Sequence, residues 1–99
     1  MIIYNVTVKI ENGVHDEWLN WMKTVHVPEV MATGFFEDNR IAKVLVDEDD
    51  GHTYSIQYRV STMEKLETYQ NTKAPRLQKA HSKKYEGKFV AFRTLLKEV

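Results

Sequence analysis

His26 is the residue whose type and setting most invite a chemical role. Its imidazole titrates near neutral pH and could serve as an acid or a base. Glu29 follows three residues later and could orient it. The plainer role is a histidine that caps or packs the end of a helix interrupted by Pro28. Asn5 could donate a hydrogen bond to a bound oxygen; its plainer role is a polar group satisfied at an interface between two copies. Arg59, Arg93 and Lys9 bring positive charge, and Gln57 brings an amide. Guanidinium groups suit carboxylates and phosphates. Asn5, Gln57, Arg59 and Arg93 therefore form the candidate ligand site, for an anionic small molecule. Salt bridges within a dimer, or to Glu37 or Asp38, would occupy the same cations equally well.

Other chemistries find little support. The chain has no cysteine, which removes disulfides, thiolate catalysis and thiolate metal sites. None of the four histidines, at 15, 26, 52 and 81, forms an H-E-x-x-H pattern. The acidic stretch from Asp47 to Asp50 is not an EF-hand, because Tyr58 stands where the last glutamate ligand would fall. With only four glycines there is no Gly-rich phosphate loop. Neither a metal nor a cofactor is expected. Fourteen basic and fourteen acidic side chains give a formal net charge of zero, so no general attraction to nucleic acid or acidic membranes arises. No apolar run reaches the roughly 18 residues of a membrane helix. The amino terminus lacks a basic, then apolar, leader pattern. The cytoplasm is the expected compartment.

The elements that must position these residues follow from periodicity. The 99 residues predict a single domain. Ile2, Tyr4, Val6, Val8 and Ile10 alternate with Ile3, Asn5, Thr7 and Lys9, which predicts a strand with one buried face. Val14, Trp18, Trp21, Met22 and Val25 recur at helical spacing. That helix should end near Val25, with a kink and a short helical turn from Pro28 to Thr33, closed by Gly34. Phe35–Val46 reads as a second strand, strongest from Ile41 onward. Asp50-Gly51 signals a tight hairpin into a third strand, His52–Val60. Ser61 to Glu64 fits a capping box. Leu66, Tyr69, Leu77, Ala80 and Tyr85 make the stripe of a second helix, broken at Pro75 and ended by Gly87. Phe89–Leu96 is a last strand. The order β-α-β-β-α-β predicts an α+β, ferredoxin-like fold. Its sheet is antiparallel, in the order 4-1-3-2, with both helices on one face.

The helix-free face then carries Ile3, Asn5, Thr7, Lys9, Thr53, Ser55, Gln57 and Arg59. For the fourth strand, Phe89, Ala91, Arg93 and Leu95 are assigned to the same open face, and Val90, Phe92 and Leu96 to the core. This face shows cations but no acid, and its apolar groups invite a cover. A homodimer closed through it would leave a polar, positive pocket between the sheets. Tyr4, Tyr54 and Tyr58 fall on the core side, so base stacking on the open face, and with it RNA binding, is not expected.

The segments Met1–Val8, Trp18–Met22, His26–Gly34, Thr53–Tyr58 and Phe89–Leu96 resemble an uncharacterised bacterial family, catalogued as a domain of unknown function. The likeness runs along essentially the whole chain and implies a fold without an established activity. The architecture also resembles the dimeric α/β-barrel superfamily. Its members pair two ferredoxin-like domains and hold ligands between sheet and helices or within the barrel. That resemblance implies a homodimeric barrel, and it admits a small cofactor-independent monooxygenase or isomerase centred on Asn5 or His26. Asn5 matches the first-strand asparagine of some such monooxygenases; Trp18 and Trp21 fit the helix core stripe instead. The leading expectation is a small-molecule-binding homodimer, with the enzyme and a purely structural or interaction module as alternatives. Whether it is an enzyme at all stays open.

Overall fold

A computed structural model describes residues 1–99. Strand β1 (Ile2–Glu11) is central, flanked by β3 (Gly51–Val60) and β4 (Phe89–Lys97), with β2 (Asp38–Lys43) on the outer edge of β3. The order β2-β3-β1-β4 is the expected one read from the other edge, and every pairing is antiparallel. Helices α1 (His15–Trp21), α2 (Val27–Ala32), α3 (Met63–Thr72) and α4 (Ala74–Lys84) cover one face. The core joins the β1 and β3 rows to Trp18, Met22, Val30, Leu66 and Leu77 from the helices. Tyr4, Tyr54 and Tyr58 are buried in it, as the alternation predicts.

Pro28 does not break its helix. Its missing N–H and its ring would leave an α-helical turn unbonded and crowded at residue 24. A π-helical turn, Met22–His26, absorbs the conflict, and His26 and Val27 keep helical backbone angles. The extra residue rotates the buried stripe. Trp18 and Met22 are followed inward by Val27 and Val30, while Val25, expected in the core, is turned out at 37% exposure. A similar shift occurs in the second helical arm. His81, not Ala80, occupies the buried position after Leu77. Thr62, not Ser61, is the cap: its side chain accepts the Lys65 N–H at 3.2 Å.

The β2–β3 connection is also longer than Asp50-Gly51 suggests. Strand β2 ends at Lys43, and residues 44–50 form the link, with Leu45 at 91% exposure. Gly51 instead pairs with Glu11 at the first position of β3. A Cβ there would stand 2.6 Å from the Ile10 carbonyl oxygen, so close backbone approach demands the glycine.

The parity of β4 is opposite to the expectation. Register places Phe89 beside Ile10, Ala91 beside Val8, Arg93 beside Val6 and Leu95 beside Tyr4, all on the helix side. Val90, Phe92 and Leu96 lie on the open face, the first two at 67% and 63% exposure. Apolar residues fill both parities of β4, so alternation offered no contrast; pairing with β1 decides the matter.

Gly51→Ala is expected to lower stability by about 2 kcal/mol, since the new methyl meets backbone rather than a movable side chain. Gly13→Ala, with open space at its Cβ, should change it by less than about 0.5 kcal/mol. Urea unfolding of both variants checks the contrast.

Candidate functional site

The proposed open-face site does not assemble as expected. Asn5 is buried, and its amide is engaged: Ser55 Oγ donates to Asn5 Oδ1 at 2.5 Å, and Asn5 Nδ2 donates to Thr7 Oγ1 at 3.1 Å. Gln57 Nε2 donates to Ser55 Oγ at 3.4 Å. Arg59 is held by Asp38 and by Glu98, at 2.5 and 3.0 Å. Lys9 pairs with Asp50 at 2.8 Å. The acids come from β2, from the 44–50 link and from just beyond β4, segments outside the three strands whose faces were read for charge. A groove remains beside Arg59, but Asp38 and Glu98 line it and oppose an anion. Arg93 is on the other side of the sheet.

That other side holds a cavity of about 360 Å³ between the sheet and the helical layer. Its floor is Val6, Val8, Ile56 and Ala91 from the strands; Met22, Val30 and Leu77 close it from the helices. Such an apolar interior with a few convergent polar groups is the usual form of a small-molecule site. The polar groups here are His26, His81, Arg93, Gln78 and Ser82, with Tyr4, Tyr58 and Tyr69, and no Asp or Glu lines the cavity.

Each of these side chains is placed by a local cause. The π turn delivers His26, whose ring stacks on Trp21 with centroids 5.1 Å apart. Burial lowers its pKa, and Glu29, three residues on as anticipated, opposes that shift. His81 enters from α4, 5.7 Å from the His26 ring between centroids. Trp18 Nε1 donates to His81 Nε2 at 2.9 Å, a buried bond that joins the two helical arms. Burial, then the neighbouring His26 and Arg93, bring the His81 pKa down to about 4. Arg93, an exposed residue of β4, lines the cavity from the sheet side, its Nε donating to the Tyr4 hydroxyl at 3.0 Å. Burial among other tyrosines pushes the Tyr58 and Tyr69 phenols up, so both stay protonated donors near neutral pH.

Of the sequence-stated candidates, the structure therefore brings His26 and Arg93 together and leaves Asn5, Gln57 and Arg59 on the opposite face. His81 was not singled out as a site residue. Its signal was present: a titratable residue spaced between Leu77 and Tyr85 on an apolar stripe.

A family model described as a domain of unknown function, DUF4286, matches residues 1–99. No curated protein matches the chain. Among solved structures, it resembles an ethyl tert-butyl ether d (EthD) family protein from Bacillus halodurans, with 13% identity, a TM-score of 0.70 and 100% of both chains covered. A dimeric ferredoxin-like protein from an uncultured marine organism has 10% identity and a TM-score of 0.70, covering 100% of this chain and 95% of that one. An antibiotic biosynthesis monooxygenase has 14% identity and a TM-score of 0.64, covering 100% and 99%. At these identities the likeness establishes the ferredoxin-like fold. No helix is long and apolar enough to cross a membrane.

The depressed His81 pKa has a stability consequence. The unfolded chain takes up this proton near the ordinary value of 6.5, the folded chain only near 4. Stability is thus whole above the unfolded value and falls as pH drops through that window, by on the order of 2 kcal/mol after allowance for solvent screening. His26, also lowered, adds in the same direction. Urea unfolding across the window should show this slope in the wild type and a shallower one in His81→Gln.

Proposed function

The chain belongs to the DUF4286 family, a domain of unknown function, along residues 1–99, and on that premise we propose that it is a small-molecule-binding homodimer whose ligand occupies the cavity between sheet and helices. One observation carries the reading. The cavity places Arg93, His26 and His81 around an apolar interior with no acid in its lining. A molecule with an apolar body and an anionic or oxygen-rich head fits that distribution. The body would replace water against aliphatic and aromatic walls. The head would meet a guanidinium that has no carboxylate partner, unlike Arg59. The open-face pocket expected from sequence is replaced by this one.

Toluenesulfonate supplies such a body and head. Its titration should shift the NMR signals of His26, Leu77, His81 and Arg93. Arg93→Gln should weaken it about tenfold, the usual scale for a charge-assisted hydrogen bond. Shifts confined to Asp38, Arg59 and Glu98 would place binding on the other face and refute the assignment.

The dimer draws support from the open face. Val90, Phe92 and Leu96 form an exposed apolar row along β4. Beside it runs the hydrogen-bonded Asn5, Thr7 and Ser55 row, whose charges are already paired at its margins. A second copy of the same face would cover the row while Lys9 and Arg59 stay paired, and the unpaired Arg40 stands on the outer strand β2, separated from β4 by two strands. A solved neighbour is itself described as dimeric. Light scattering should give a dimer for the wild type, and Phe92→Asp should shift it to monomer while far-ultraviolet circular dichroism is retained.

A further inference from the structure

The next step rests on the cavity reading above and concerns how the cavity chooses its occupant. An indole nitrogen carries a hydrogen and offers no acceptor. Because Trp18 Nε1 donates to His81 Nε2 at 2.9 Å, Nε2 must be bare, and the single ring proton of neutral His81 sits on Nδ1. A proton on Nε2 would set two N–H groups against one another inside the core. Nδ1 has no hydrogen-bond partner within the protein, and no side-chain nitrogen or oxygen is sealed away unpaired. Its N–H therefore reaches accessible space, which at His81 is the cavity. Arg93 spends Nε on Tyr4 and leaves its terminal nitrogens without an ion pair.

We propose that the cavity selects a small monocarboxylate with an apolar body, held between the terminal nitrogens of Arg93 and the Nδ1–H of His81, whose tautomer Trp18 fixes. His81 is then a specificity-determining hydrogen-bond donor and not a general base. A carboxylate accepts at two oxygens and suits two convergent donors. The charged and titratable groups around His81 oppose a charge on its ring. His26 adjoins it from the π turn and Arg93 from β4. Lys84 on α4 lies 5.8 Å from the Trp21 ring centroid. The nearby acids are engaged elsewhere: Glu17 accepts from the Tyr85 hydroxyl at 3.4 Å, and Glu29 acts on His26.

Nitrogen-15 NMR of the ligand-free wild-type protein tests the tautomer directly. At about pH 6, below the ordinary histidine value, His81 should be neutral with its proton on Nδ1. A charged ring, or a proton on Nε2, overturns the proposal. Trp18→Phe should release Nε2, admit both tautomers and move the His81 titration toward the ordinary value; the wild-type spectrum decides if that variant does not fold. The ligand class is tested with three probes of one shape: phenylacetate, phenylacetamide and toluene. Phenylacetate should bind at least about tenfold tighter than phenylacetamide, and Arg93→Gln should erase the difference. Equal binding of the two, with toluene also bound, overturns the carboxylate head and leaves the cavity reading standing. Binding of none of the three removes both.

Discussion

The antiparallel register of β1 against its two neighbours is the constraint on which the molecule depends. A central strand has only two faces, and its pairing assigns every residue of β3 and β4 to one of them. Tyr4 beside Tyr58, and Val8 beside Tyr54, build the floor on which the helices pack. Val6 beside Arg93 carries a guanidinium to the same floor. One residue of slip in β4 would send Arg93 to the open face and turn Phe92 inward.

The two faces of the sheet consequently have different electrostatic characters. The open face is populated by short polar side chains that satisfy one another, and its Lys9 and Arg59 meet carboxylates from neighbouring segments. The covered face has few polar atoms, but they are not cancelled. In low-dielectric surroundings such groups act strongly on one another, as the depressed His81 titration illustrates. A second histidine cluster lies apart from the cavity. His15 stacks on His52 with centroids 3.9 Å apart and bonds the Tyr54 hydroxyl at 2.6 Å. It ties the start of α1 to β3.

The fold was legible because period-two and helical patterns are clean in β1, β3 and the Trp18 helix. What escaped reading was phase. The sequence shows Pro28 but not whether the helix stops there or takes in an extra residue, because both solutions relieve the same clash. It shows Phe89–Leu96 as a strand, yet with apolar groups on both parities only its partner can assign a face. The candidate site inherited both uncertainties. Arg93 was named for its charge and placed on the wrong side; His26 was named for its chemistry and placed at a break. The Arg59 cluster failed because its counter-charges arrive from Asp38 and Glu98, far away along the chain.

The π turn at Met22–His26 makes the contents of the cavity a matter of counting. Successive helix residues are set about 100° apart. Deleting one residue from that turn would restore an ordinary spacing and swing everything before it by that angle relative to α2. Trp18 would leave the bond to His81, and the two helical arms would lose their polar link across the core. A sequence variant of this chain can thus exchange many surface residues freely, but an insertion or deletion here alters the register between the wall that holds His26 and the residue that holds His81 in place.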